Sequence, residues 1–180
     1  MSNSIDLIRS KIRDIPDFPK PGILFRDITP LWKDSPAFES CMEIFSTRYF
    51  QKSVPKPDLI VGIESRGFVI GSVFAARHSM GFVPIRKKGK LPHDVESHEY
   101  DLEYGSDCVE IHRDSVDKGQ KVLIMDDLLA TGGTMLAAIH LLEKIGADVV
   151  GCAVVIDLPA LGGRKKIEAA GYEVFSVIDC

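Results

Sequence analysis

Two adjacent carboxylates and a pair of glycines mark the stretch of this chain best suited to chemistry. Asp126 and Asp127 follow the apolar run 122–125, and Gly132 and Gly133 stand where a helix is predicted to begin. The first N–H groups of a helix have no partner inside it, and the helix dipole adds positive charge there, so such a turn can hold a phosphate. The carboxylates can accept hydrogen bonds from neighbouring ribose hydroxyls. The pattern therefore predicts a site for ribose 5-phosphate.

The turn differs from two common phosphate-binding motifs. A P-loop requires a lysine after its last glycine, but Gly133 is followed by Thr134. A dinucleotide-binding fingerprint requires Gly-x-Gly-x-x-Gly, which Gly132 and Gly133 do not fit. An ordinary strand–turn–helix connection is the alternative, and the aspartate pair together with Thr131 and Thr134 disfavours it.

A second loop, residues 62–67, also follows an apolar strand and precedes a helix. It lacks the Gly-x-Ser-x-Gly spacing of a hydrolase nucleophile, because position 63 is isoleucine. The guanidinium of Arg66 is suited to bidentate binding of a phosphate group. A plain helix start with Arg66 in solvent is the alternative.

Positive charge is concentrated in residues 86–90, although the net charge of the chain is -4. The net charge argues against general nucleic-acid binding, whereas the local run suits a polyphosphate. A solvated surface turn is the alternative. The polar stretch 87–103 has little apolar periodicity and is predicted to be a mobile loop, either a lid that excludes water from a reaction or a disordered surface segment.

Alternating apolar segments predict an α/β fold with a mainly parallel sheet. The predicted helices are residues 4–13, 37–50, 67–80, 134–145 and 164–169. The predicted strands are residues 59–63, 82–86, 107–112, 121–125, 149–156 and 172–178. Ligands of such sheets bind beyond the carboxyl ends of the strands, where Glu64, Arg86 and Asp126 fall.

The composition of the chain further limits its domain number, its location and its metal chemistry. A chain of 180 residues with 45% hydrophobic residues is expected to form one domain. It has no apolar run of the ~18 residues that a spanning helix needs, and no signal peptide, so a cytoplasmic protein is expected. The four cysteines and five histidines form no ligand spacing. Any metal is expected to arrive with the substrate.

Residues 122–134 resemble the 5-phosphoribosyl-1-pyrophosphate (PRPP) motif of the type I phosphoribosyltransferases. Four further segments, in order and spacing, resemble the adenine phosphoribosyltransferases of that family: residues 18–30, 62–68, 86–92 and 100–105. The resemblance spans roughly residues 12–177. It implies one domain, residues 1–180, with a central mainly parallel sheet flanked by helices. A small N-terminal hood, about residues 1–35, would bind the base, and a flexible catalytic loop would cover the site.

The resemblance also implies an activity. The enzyme would be a pentosyltransferase of purine salvage that moves the 5-phosphoribosyl group of PRPP to N9 of adenine. The products would be AMP and pyrophosphate. Mg²⁺ would be carried by PRPP with no direct protein ligand, and the protein would be a homodimer that binds neither nucleic acid nor membrane.

Roles for individual residues follow from the resemblance. Ribose 5-phosphate would be bound by Asp126, Asp127, Ala130, Thr131, Gly132, Gly133 and Thr134. Pyrophosphate would be bound by Ser65, Arg66, Gly67, Arg86, Lys87 and Lys90, in a loop that often contains a cis peptide bond not involving proline. Adenine would be bound by Leu24, Phe25, Arg26 and Leu128. The catalytic residues would be Glu103, at the purine, and Arg66, with Tyr100 and Tyr104 in the catalytic loop.

Two other functions stay open. A phosphoribosyltransferase for another base would require residues 24–26 to be misassigned; the 6-oxopurine enzymes use a lysine that has no obvious equivalent here. A PRPP-responsive regulatory protein without turnover is the second. Arg66, Asp126, Asp127 and Glu103 argue against it.

Overall fold

The computed structural model of the protein describes residues 2–102 and 105–180. The chain divides into two compact units, Met1–Gln51 and Lys52–Cys180. No helix within the described residues combines the length and the apolar character needed to cross a membrane.

The N-terminal unit combines three helices with a hairpin. The helices are Ser2–Arg9 (α1), Thr29–Lys33 (α2) and Ser35–Tyr49 (α3), and the antiparallel strands are Arg13–Pro16 (β1) and Leu24–Asp27 (β2). Asp34 caps α3 by accepting a hydrogen bond from the Ala37 N–H at 3.1 Å. The single tryptophan, Trp32, lies in α2. The prediction of a helix over residues 4–13 is wrong at its end, because Arg13 pairs with Asp27 in the hairpin.

The C-terminal unit alternates strands and helices. Its strands are Leu59–Ile63 (β3), Gly81–Lys87 (β4), Val95–Leu102 (β5), Gly105–His112 (β6), Lys121–Leu129 (β7), Asp148–Asp157 (β8) and Val174–Asp179 (β9). Its helices are Arg66–Arg77 (α4), Gly133–Ile145 (α5) and Gly163–Ala169 (α6), with a short 3-10 turn at Pro159–Leu161. The seven strands form one sheet in the order β5-β6-β4-β3-β7-β8-β9.

The centre of this sheet is parallel, and its β5–β6 end is antiparallel. β3 is buried along its whole length, as are residues 151–157 of β8. Such continuous apolar runs are typical of parallel strands covered on both faces. α4 packs against β3 and β7, and α5 packs against β8 and β5. The predicted mainly parallel α/β sheet is therefore confirmed.

Two predicted boundaries change near the site. The stretch 87–103 is not irregular throughout: Lys87 ends β4, and Val95–Leu102 is a strand whose backbone pairs in register with β6. Its side chains are mostly polar, so the apolar pattern that predicts strands was missing. β7 continues to Leu129, opposite Asp157 of β8, so Asp126 and Asp127 lie within the strand rather than after it.

Candidate active site

An open cavity of about 260 Å³ lies where the carboxyl ends of β3 and β7 meet the amino ends of α4 and α5. It is lined by Ile63, Glu64, Ser65, Arg66, Lys87 and residues 126–135. The structure thus brings the glycine turn, the aspartate pair and the Ser65–Arg66 segment together. This is the edge of the sheet at which ligands of parallel α/β proteins bind.

The turn between β7 and α5 offers a row of backbone donors. Within the described part of the chain, the N–H groups of residues 130–134 donate to no protein acceptor. Gly132, at φ 82°, caps α5 in the left-handed conformation that glycine adopts without steric cost. The dipole of α5 adds positive potential at the same place. The turn therefore has the chemistry of an anion site.

The two aspartates lie on the floor of the cavity. The Asp127 N–H donates to Oδ1 of Asp126 at 2.9 Å, and Nε of Arg66 lies 3.1 Å from Oδ2 of Asp127. Burial raises the pKa of Asp126 well above its ordinary value, and repulsion by Asp127 raises it further. Burial also raises the pKa of Asp127, although the charge of Arg66 opposes this. In the ligand-free protein the pair is costly to ionise fully.

The loop from β3 to α4 begins with a cis peptide bond between Glu64 and Ser65, which is the bond type that the resemblance implied. Ser65 and Arg66 line the cavity. Gly67 is buried instead: a Cβ there would stand 2.7 Å from the Met125 carbonyl oxygen and 3.0 Å from Oδ1 of Asp126. Glycine at this position lets α4 start directly against β7.

Glu64 binds cationic residues at the end of β4 and just after it. Its Oε2 accepts hydrogen bonds from Nε of Arg86 at 3.3 Å and from the Lys87 N–H at 3.0 Å, and its Oε1 pairs with the Lys90 ammonium group. Burial opposes ionisation of Glu64, but the bonds from Lys90, Lys87 and Arg86 outweigh it and lower the pKa. Arg86 and Lys90 are therefore held beside the cavity, on a carboxylate that lines it.

Replacing Glu64 with glutamine is expected to destabilise the protein by about 1 kcal/mol near neutral pH, because a partly buried group loses its charge-assisted hydrogen bonds. A lowered pKa stabilises the fold above the unfolded-state value of about 4.3, and this contribution fades as the pH falls through the folded-state pKa. Urea unfolding of both proteins at several pH values measures the difference. A gap that stays constant well below the unfolded-state value of about 4.3 would contradict this assignment.

A second cluster joins the β5–β6 arm to the glycine turn. The Lys87 ammonium group pairs with Asp107. The Tyr100 hydroxyl lies 3.2 Å from Oδ2 of Asp107 and 3.1 Å from Oγ1 of Thr134. Burial alone would lower the pKa of Lys87, but Asp107 and Tyr100 raise it above the ordinary value, so Lys87 stays charged at the cavity.

Comparison with known proteins decides the family. Residues 33–179 match the phosphoribosyl transferase domain family. An adenine phosphoribosyltransferase from Chlorobium luteolum is 55% identical over 170 residues, which cover 94% of this chain and 96% of the relative. The chain belongs to the adenine phosphoribosyltransferase family. It is accordingly an enzyme that transfers a phosphoribosyl group, a pentosyltransferase.

Solved structures of the family have the same fold. The adenine phosphoribosyltransferase from Thermoanaerobacter pseudethanolicus is 47% identical with a TM-score of 0.91, covering 98% of this chain and 99% of its own. The enzyme from Saccharomyces cerevisiae, solved with an imino-altritol bisphosphate and adenine, is 35% identical with a TM-score of 0.93, covering 99% of this chain and 100% of its own. The predicted type I phosphoribosyltransferase fold is confirmed.

The segment that resembles the base-binding residues of adenine phosphoribosyltransferases lies in β2 of the N-terminal unit. Leu24 is 47% exposed, and the ring of Phe25 meets that of Phe18 edge to face at a centroid distance of 5.1 Å. Arg26 pairs with Asp14 across the hairpin. Leu128, from β7, lines the cavity of the C-terminal unit.

Some predicted members of the site stand apart from the cavity lining. Gly67, Arg86 and Lys90 are neighbours of lining residues, as described above. Tyr100 reaches the site through Thr134. Glu103 and Tyr104 lie outside the described residues. The sequence placed Glu64 at the ligand-binding edge of the sheet without a specific role. Its bonds to Arg86, Lys87 and Lys90 arise only in the folded protein.

Proposed function

We propose that this member of the adenine phosphoribosyltransferase family transfers the 5-phosphoribosyl group of PRPP to N9 of adenine, giving AMP and pyrophosphate in purine salvage. The observation that carries the proposal is the turn at residues 130–134. Within the described residues its N–H groups donate to no protein acceptor, and they line one cavity together with the Asp126–Asp127 pair. That combination fits a sugar phosphate, which carries both a phosphate group and two adjacent hydroxyls, better than it fits a phosphate or a diol alone.

The ribose 5-phosphate of PRPP would occupy the floor of the cavity. Backbone donors of residues 130–134 and the Thr131 and Thr134 hydroxyls suit the phosphate oxygens. Asp126 and Asp127 accept hydrogen bonds from the two ribose hydroxyls. The bound sugar is then oriented with C1 toward the remainder of the cavity.

The pyrophosphate of PRPP would be held by the loop after β3. Ser65, Arg66 and Lys87 line the cavity, and Arg66 can donate from a planar fork to two oxygens. Arg86 and Lys90 add positive potential from their position on Glu64. Gly67 supplies the close approach of α4 that sets this loop.

Bond exchange takes place at C1 of the ribose. Adenine N9 forms the new bond to C1 as the bond from C1 to the pyrophosphate oxygen breaks, and the bonding electrons leave with pyrophosphate. The N9 proton is lost to solvent, and the Glu103 carboxyl group would hydrogen-bond or exchange a proton near N7 of the purine as charge develops, as the resemblance implies. Phe25 and Leu128 would lie on the faces of adenine, with Leu24 and Arg26 at its edge. Closure of the arm that carries Tyr100 and Tyr104 would exclude water.

Mg²⁺ fits this arrangement as a companion of PRPP. Within residues 2–102 and 105–180, no group of three or more histidine, cysteine or acidic side chains is arranged to hold a metal ion. The carboxylates of Asp126 and Asp127 are oxygen donors of the kind Mg²⁺ prefers, and they can hold its water shell. Bound with PRPP, the ion would neutralise charge on the leaving pyrophosphate.

The remaining expectations are part of the same proposal. Residues 1–180 act as one catalytic domain, with about residues 1–35 supplying base contacts. The enzyme works as a cytoplasmic homodimer and binds neither nucleic acid nor membrane.

The test is a product analysis. The protein is mixed with PRPP, Mg²⁺ and equal amounts of adenine, hypoxanthine, guanine, xanthine, uracil and orotate, and nucleotides are identified by mass spectrometry. AMP as the product supports the proposal. A different nucleotide would overturn the base assignment, and PRPP binding without any product would favour the regulatory alternative.

A further inference from the structure

The glycine turn of residues 130–134, which is the proposed phosphate turn, packs against a second turn at Gly162 and Gly163 that does not line the cavity. The N–H of Gly163 donates to the Ala130 carbonyl oxygen at 3.1 Å. A Cβ on Gly163 would stand 2.3 Å from that oxygen and 2.9 Å from the Gly132 nitrogen. A Cβ on Gly132 would stand 3.1 Å from Cα of Gly163. Two backbones touch here with no room for one methyl group.

The obstacle at Gly163 is purely steric. Gly163 is the first residue of α6, outside the left-handed region, so alanine could adopt its backbone conformation. The atoms it would strike are backbone atoms of the phosphate turn, which cannot swing aside as a flexible side chain can. Moving the Ala130 carbonyl turns the peptide plane that also carries the Thr131 N–H. A methyl at Gly163 therefore redirects a donor of the turn.

The second turn is held in place by hydrogen bonds from Arg164. Arg164 donates three hydrogen bonds of 2.6 Å, to Oδ2 of Asp157, to the Val174 carbonyl and to Oγ of Ser176. Asp157 is fully buried, and its Oδ1 has no hydrogen-bond partner within the described residues. The Arg164 guanidinium thus offsets a carboxylate at the end of β8, opposite Leu129 at the end of β7.

We infer that Gly163, held by the Arg164–Asp157 pair, is a positioning residue for the phosphate turn and sets the affinity for the 5-phosphate without touching the ligand. This inference rests on the proposed function, in which residues 130–134 bind that phosphate. In that proposal the base and the ribose hydroxyls are bound by other residues. A substitution at Gly163 is therefore expected to weaken binding of the phosphate group and to leave binding of the base and ribose nearly unchanged.

Calorimetric binding of AMP and of adenosine, which lacks the phosphate, tests the inference. Gly163→Ala is expected to weaken AMP binding at least tenfold and adenosine binding less than twofold. In steady-state assays the KM for PRPP rises more than kcat falls. Gly171→Ala is the matched control: Gly171 follows the other end of α6, at φ 94°, and a Cβ there would meet no atom within 4 Å, so alanine strains the backbone without striking the phosphate turn. The control is expected to lower Tm and keep the ratio of AMP to adenosine affinity.

Arg164→Lys provides a second variant should Gly163→Ala fail to fold. It keeps the positive charge beside Asp157 but loses the three-way fork, and a smaller drop in the same affinity ratio is expected. An unchanged ratio in the folded variants would overturn the inference. Wild-type protein that binds AMP no more tightly than adenosine would instead overturn the phosphate site of the proposed function.

Discussion

Asp126→Asn is expected to lower kcat/KM by about 10²-fold or more. The same substitution is expected to raise the stability of the ligand-free protein, because the adjacent carboxylates are costly to ionise when no ligand binds them. Asparagine keeps an oxygen that can accept the Asp127 N–H, which Asp126 now does at 2.9 Å. It lacks the charge that strengthens a hydrogen bond from a ribose hydroxyl. The gain in stability is expected to be about 1–2 kcal/mol at pH 7.5.

The pH dependence of this gain has a definite sign. Burial and Asp127 raise the folded-state pKa of Asp126 above the unfolded-state value. A protonated Asp126 therefore favours folding at low pH, and that contribution is lost as the pH rises through the folded-state pKa. The Tm of Asp126→Asn should exceed that of wild type by an amount that grows with pH. A wild-type protein that is the more stable of the two at pH 7.5 would contradict the prediction.

Arg66→Ala is expected to lower kcat/KM by about 10²–10³-fold and to destabilise the protein by about 2 kcal/mol. The loss of activity follows from the lost donor at the leaving pyrophosphate. The loss of stability follows because the Asp127 side chain, only 2% exposed, loses the guanidinium 3.1 Å away, which favours its ionised form against burial. The partial exposure of Arg66 keeps this cost below that of a fully buried pair.

A double-mutant cycle separates the two effects. In Arg66→Ala/Asp127→Asn the buried carboxylate is gone, so unfolding in urea should show most of the lost stability restored. Activity should not return. Arg77→Ala, at the other end of α4, is the control and should retain activity near that of wild type. Strictly additive changes in stability would show that Arg66 and Asp127 are not coupled.

The parts of the fold and site that could be predicted are those determined by residues close together in the sequence. Residues 59–63 were predicted to be a buried strand because the stretch contains no polar side chain, and the structure has the same bounds. The phosphate turn was predictable because Gly132 and Gly133 follow two carboxylates within the same short segment. In both cases chemistry and backbone conformation depend on neighbours along the chain.

The parts that were not predictable depend on partners far apart in sequence. Val95–Leu102 has a polar face and becomes a strand only through its pairing with β6. The need for glycine at position 163 arises from the carbonyl of Ala130, in another loop. Glu64 is an ordinary acid in the sequence, and its lowered pKa depends on three cationic or backbone donors that the fold assembles. Composition gives no sign of such contacts.

Trp32 gives the chain a built-in spectroscopic reporter. It is the only tryptophan, it lies in α2 of the N-terminal unit, and its indole Nε1 is buried. Emission excited at tryptophan wavelengths therefore originates from residues 1–51, whereas far-ultraviolet circular dichroism is dominated by the larger C-terminal unit. Melting curves recorded by the two signals on one sample will coincide if the units unfold together, and will separate into two transitions if they do not.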